Sequence, residues 1–214
     1  MKILVTGFDP FGGEELNPSW QVVKSLPNKI ADAELRRIQI PTVFGRSAQM
    51  LFEEIKKFSP DVVLCLGQAG GRSGISPERI AINIDDARIA DNEGNRPVDD
   101  VIREDGKAAY FSTLPIKAMV ENIKKIGINA EVSNTAGTFV CNHIMYQVLY
   151  YAEKNNLNIQ AGFIHIPYLP EQLKGRELPM MEFDDMRRAI ISSIQTIVDY
   201  RDKCDLKVTG GKED

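Results

Sequence analysis

An α/β fold built on a mostly parallel sheet follows from three observations. Short apolar runs alternate with segments of helical period along most of the chain. One run, Asp61-Val62-Val63-Leu64-Cys65-Leu66, is almost wholly apolar, as a parallel strand buried on both faces requires. No repeat, linker or shift of composition divides the 214 residues, of which 43% are hydrophobic and 26% charged. The expectation is one domain over 1–204, a three-layer α/β/α sandwich around a twisted sheet, with 205–214 as a disordered charged tail.

Taken in order, residues 2–6 read as a buried strand that ends in the turn-rich loop Gly7-Phe8-Asp9-Pro10-Phe11-Gly12-Gly13. Asn17-Pro18-Ser19 caps a short helix to about Leu26. Residues 34–40 alternate as a strand and stop at Pro41. Residues 45–58 form a helix with Leu51, Ile55 and Phe58 on its apolar side, and Ser59-Pro60 breaks it. After the strand 61–66 comes a second glycine loop, Gly67-Gln68-Ala69-Gly70-Gly71, and a strand over 79–84. Residues 85–106 are polar and irregular, which in a compact domain suggests a functional flap or a subunit contact. A helix over 115–125 begins with proline. A strand over 129–133 turns at Ala136-Gly137 into a helix running to Lys154. A strand over 160–166 ends in Pro167-Tyr168-Leu169-Pro170, and 182–203 is the closing helix.

The bulk numbers exclude several functions. A net charge of -4 without a long Lys/Arg run argues against nucleic acid as a partner. No apolar run approaches the ~18 residues of a membrane span, and the first residues lead straight into a strand rather than a signal peptide. Three cysteines, Cys65, Cys141 and Cys204, form no close pair and point to a reducing compartment, with the cytoplasm as default. Two histidines leave little for a metal cluster.

In such a sheet, ligands bind outside the carboxyl ends of the strands. Those ends carry both glycine loops, His165 and the helix tip bearing Cys141, so the candidate site falls on one edge. Cys141 is the first inward residue of its helix, on a stripe with Ile144, Met145, Val148, Leu149 and Ala152. Free N–H groups and the helix dipole favour a thiolate there, although position alone leaves open a plain core cysteine. A thiol nucleophile needs a base and the base an orienting acceptor. His143 lies two residues from Cys141 on the helix, faces the other way with Gln147, Tyr150 and Lys154, and reads as a surface or interface histidine. His165 can reach the crevice, and Glu78, set against an apolar strand, is an odd place for an unpaired charge. Each also has an ordinary reading, as a satisfied core histidine and an exposed glutamate. The loop 7–13 matches no phosphate-binding fingerprint, and Phe8 and Phe11 suit a neutral ligand better.

Three blocks resemble the pyroglutamyl peptidases of type I. Thr6-Gly7-Phe8-Asp9-Pro10-Phe11-Gly12-Gly13 with Asn17-Pro18-Ser19 is similar to the family's opening signature. Gly67-Gln68-Ala69-Gly70-Gly71-Arg72 through Ile75-Ser76-Pro77-Glu78-Arg79-Ile80-Ala81-Ile82-Asn83 resembles its glutamate motif, and Val132 through Asn142 with Tyr146 its cysteine motif. The similarity spans about 1–200.

The resemblance implies a cysteine exopeptidase that removes N-terminal pyroglutamyl residues from peptides, without cofactor or metal and often as a homotetramer. It implies Cys141 as nucleophile, His165 as general base and acid, and Glu78 as the residue orienting the imidazole. It implies a lactam pocket of Phe8, Phe11, Thr42, Gln68, Ile89, Phe139 and Val140, with Arg88 near the oxyanion. A cysteine amidohydrolase acting on another cyclic amide, and a non-catalytic binder on the same scaffold, are the alternative expectations.

Overall fold

The computed structural model describes residues 1–211. The first apolar run becomes β1 (Lys2–Phe8) near the middle of a six-stranded sheet, with all but its first residue buried. Beside it lie β3 (Ala33–Ile40) and β4 (Val62–Gln68), and β8 (Gln160–Ile166) lies beyond β4, each pair parallel. Two-residue strands, β2 (Lys29–Ile30) and β5 (Ser76–Pro77), close the edges antiparallel, giving the order β2-β3-β1-β4-β8-β5. Short edges of this kind limit the backbone left open to stray pairing.

Helices cover both faces, as two-sided strands demand. On one face α1 (Pro18–Ser25), α3 (Ile116–Lys125) and α5 (Phe183–Asp199) bury Val22, Met119 and Ile190 against Ile3, Leu64 and Ile164. On the other, α2 (Arg46–Phe58) and α4 (Val140–Lys154) bury Leu51 and Ile144 against Leu4, Val63 and Phe163. Asn17 caps α1, its side chain accepting from the Ser19 N–H at 3.0 Å. A separate hairpin-like pair, β6 (Ile80–Ile82) and β7 (Ala109–Phe111), packs on α4.

The structure departs from the sequence expectations in two places. Residues 129–133 form no named strand, yet they pair with the 75–79 segment through backbone bonds such as Ile75 N–H to Asn129 O at 3.0 Å and Arg79 N–H to Ser133 O at 2.8 Å. Their partner is itself short and irregular, so the ladder breaks into isolated bridges. The closing helix stops at Asp199. The tail over 205–211 has no regular element. The Asp205 carboxylate accepts from the N–H groups of Lys117 and Ala118 at 3.0 and 2.9 Å, capping α3 where Pro115 offers no side chain. Such a cap contributes about 1 kcal/mol. Further on, the Val208 and Gly210 carbonyls accept from Lys117 and Arg79. Residues 212–214, the end of the expected tail, lie outside the described residues.

Candidate active site

Parallel register sets the first two pieces. Gly67 on β4 lies opposite His165 on β8, so both residues address the same face. A side chain at 67 would have to occupy filled space: its Cβ would stand 2.6 Å from Cζ of Phe163 and 2.8 Å from Sγ of Cys141. Gly67 therefore opens the slot in which the Cys141 sulfur meets the Phe163 ring, beside the strand position of His165. The Phe163 and His165 rings are 4.8 Å apart between centroids.

Cys141 reaches this slot because α4 starts just past the loop 134–139, where Gly137 adopts φ +77°. Phe139 stands at the N-cap and supplies no side-chain acceptor. The first turn thus presents the N–H groups of Val140, Cys141 and Asn142 without intrahelical carbonyl partners. The expected thiolate does not follow from that placement. Burial pushes the Cys141 thiol up to about 12, and the Glu78 carboxylate adds to this, while Arg72 opposes it. Burial is the largest influence on the sulfur and favours the protonated thiol.

Glu78 is completely buried, next to β5, which pairs with β8 at Ser76 opposite His165. Its Oε1 lies 2.7 Å from His165 Nδ1 and 2.6 Å from Arg72 Nη1. A carboxylate oxygen only accepts, so Nδ1 carries the proton and Nε2 is left as the basic nitrogen. The structure therefore brings Cys141, His165 and Glu78 to one place and adds an arginine behind the glutamate.

The predicted pocket residues divide. Phe11, Arg88, Ile89 and Phe139 line an open cleft of about 490 Å³ with Asp86, Gly137 and Thr138. Phe139 packs against Phe11 and, edge-on, against Phe44 at centroid distances of 6.2 and 5.3 Å. Phe8, Thr42 and Val140 are buried and are not among the lining side chains. The half-buried Gln68 accepts through Oε1 from Gln172 Nε2 at 2.8 Å. Residues 85–106, irregular in sequence, fold back on themselves through Asp85–Asp100 and Ala87–Pro97 backbone bonds. Their tip reaches the other loops, where the Asn92 side chain donates to Pro10 O at 2.8 Å.

The profile of the family described as pyroglutamyl peptidase matches residues 1–200. This chain belongs to that family. Pyrrolidone-carboxylate peptidases of Streptococcus suis and Streptococcus pyogenes are 60% and 59% identical to it over 212 residues, covering 99% of both chains in each case. Among solved structures, pyroglutamyl peptidase I of Bacillus amyloliquefaciens superposes with a TM-score of 0.93 at 48% identity, covering 97% of this chain and 99% of that one. The pyrrolidone carboxyl peptidase of Thermococcus litoralis gives 0.92 at 38% identity, with the same coverage.

This pyroglutamyl peptidase family member also carries polar pieces that the sequence did not announce. His143 is buried, not a surface or interface residue: Nδ1 lies 2.7 Å from Asp85 Oδ2, and Nε2 accepts from the Gly45 N–H at 3.1 Å. Gln147 is buried beside it, so the far side of α4 is covered by the residues around Gly45 and by the 85–106 segment. Asn142, fully buried, clamps β6 by accepting from Ile82 N–H and donating to the Ile82 and Ile84 carbonyls. An apolar-stripe reading has no means of seeing a buried face lined with matched polar groups. Only the density of Asp, His, Asn and Gln around 85 and 142–147 hints at it.

His143→Ala is accordingly expected to lower stability by about 2–4 kcal/mol, since it leaves buried Asp85 without a partner. Its kcat should stay near the native value. Thermal unfolding with parallel kinetics checks this; an unchanged melting temperature would contradict the buried pair.

Proposed function

We propose that this pyroglutamyl peptidase, a cysteine peptidase removing N-terminal pyroglutamyl residues from peptides, works through Cys141, His165 and Glu78. The observation that carries the reading is the 2.7 Å bond from His165 to buried Glu78 beside the Cys141 sulfur over Gly67. His165 Nε2 takes the thiol proton as Sγ attacks the pyroglutamyl carbonyl carbon. Proton transfer and attack are coupled, because the resting thiol is protonated. The N–H groups opening α4 stabilise the developing oxyanion. As the carbon–nitrogen bond breaks, the imidazolium returns its proton to the leaving amine. Water, deprotonated by His165, then cleaves the thioester and releases pyroglutamate and the thiol. Phe11, Ile89 and Phe139 form the apolar walls for the lactam ring, and Arg88 lies in the same cleft. Phe8, Thr42, Gln68 and Val140 support the slot from within.

Glu78→Gln tests the assignment. The amide holds the ring but cannot stabilise imidazolium, so kcat is expected to fall by about 10²- to 10⁴-fold with the fold kept. A variant with native kcat would remove Glu78 from the reaction. The same proposal includes a cytoplasmic homo-oligomer, a tetramer by family resemblance. It is supported by three free cysteines and by exposed Val98, Val101 and Phe111. No helix among the described residues is long and apolar enough to cross a membrane.

A further inference from the structure

We propose that Arg72 is a positioning residue for this reaction: it holds Glu78 charged and aimed, so that the His165 imidazole stays free to accept the Cys141 proton. The inference rests on the roles just given to Cys141, His165 and Glu78.

Arg72 Nη1 and His165 Nδ1 meet the same oxygen, Glu78 Oε1, at 2.6 and 2.7 Å, while the buried Oε2 has no partner. A fully buried carboxylate facing an imidazole alone has two ways to relieve its charge. It can take up a proton and cease to orient the ring, or it can hold the ring as imidazolium. In the second case no base remains for the thiol. A guanidinium removes both outcomes, because it compensates the charge and has no proton to surrender at working pH. The second arm of Arg72 reaches the other side of the site. Its Nη2 donates to Thr135 O at 3.1 Å, in the loop leading to Cys141. One planar side chain thereby ties the glutamate segment to the cysteine segment. Gly71, at φ +89°, lets the loop turn so that the arginine comes back over the site.

Few other charges face the pair. From β4, Cys65 remains a neutral thiol, pushed up to about 12 by burial. Arg79, next to Glu78 in sequence, points away to Asn134 and the Gly210 carbonyl. Asp86 and Arg88 line the cleft and are exposed. Arg72 is thus the cation that balances Glu78.

The test compares pH profiles of kcat/KM on a chromogenic pyroglutamyl amide for Arg72→Met, Arg72→Lys, Glu78→Gln and the Arg72→Met/Glu78→Gln double variant. Arg72→Met is expected to lose about 10- to 100-fold at neutral pH and to move the acidic limb upward by about one pH unit. On the Glu78→Gln background, the same change should add no more than about twofold, because no carboxylate is left to balance. A native acidic limb in Arg72→Met, or losses that multiply in the double variant, overturns the proposal. If Arg72→Met does not fold, Arg72→Lys decides: charge without the two-armed brace should keep the native limb at reduced kcat, and a displaced limb overturns the proposal. A crippled Glu78→Gln beside a native Arg72→Met profile refutes Arg72 alone. A native Glu78→Gln refutes the whole reading of the site, and Arg72 with it.

Discussion

Cys141→Ala is expected to yield a folded protein whose kcat/KM on pyroglutamyl amides is lower by about 10⁴- to 10⁶-fold, the range seen when a nucleophile is removed from a working triad. The fold should persist because the sulfur fills one small slot above Gly67, and emptying it costs only about 1 kcal/mol. Kinetics and thermal unfolding on the same preparation check both parts. Turnover surviving in the alanine variant would show that another group attacks the carbonyl. Substitution is a cleaner probe than alkylation. Cys204 is exposed and would take up an alkylating reagent as well.

The second large effect concerns the substrate ring. A lactam offers an apolar edge, one N–H and one carbonyl. The cleft offers Phe11, Ile89 and Phe139 beside the polar side chains of Asp86, Arg88 and Thr138. An N-terminal proline keeps the ring but lacks the lactam carbonyl. Glutamine and glutamate have no closed ring for the Phe11, Ile89 and Phe139 walls to bury, and both carry an ammonium group in place of the lactam N–H. Prolyl, glutaminyl and glutamyl peptides are therefore expected to be cleaved with kcat/KM about 10⁴-fold below their pyroglutamyl counterparts. Matched peptide sets resolve this directly. Comparable values for any of the three would indicate an aminopeptidase of broader taste.

Much of this was legible in the sequence, for physical reasons that differ from one residue to the next. The buried run at 62–66 announced a parallel strand because both its faces had to be covered, and β4 lies inside the sheet with helices on either side. The bounds of β8 and the cap at Asn17 were equally plain, since prolines and a capping amide are local signals. Cys141 and His165 could be placed at one edge because strand ends define that edge. Arg72 stayed hidden: an arginine in a glycine loop reads as solvated, and only the folded return of that loop puts it on Glu78. His143 was misjudged for a related reason. Its helix has a polar second face, and polarity in sequence does not distinguish water from Asp85 and the Gly45 N–H.

Strand order has a consequence for the life of the chain on the ribosome. β8 lies between β4 and β5, so the sheet has a gap until residue 166 has emerged. Until then β4 exposes one edge and an apolar surface, and Glu78 and Arg72 have no imidazole to meet. The site therefore cannot be complete before β8, the strand that carries His165, has been made. An unpaired strand edge of that kind invites stray pairing in a nascent chain.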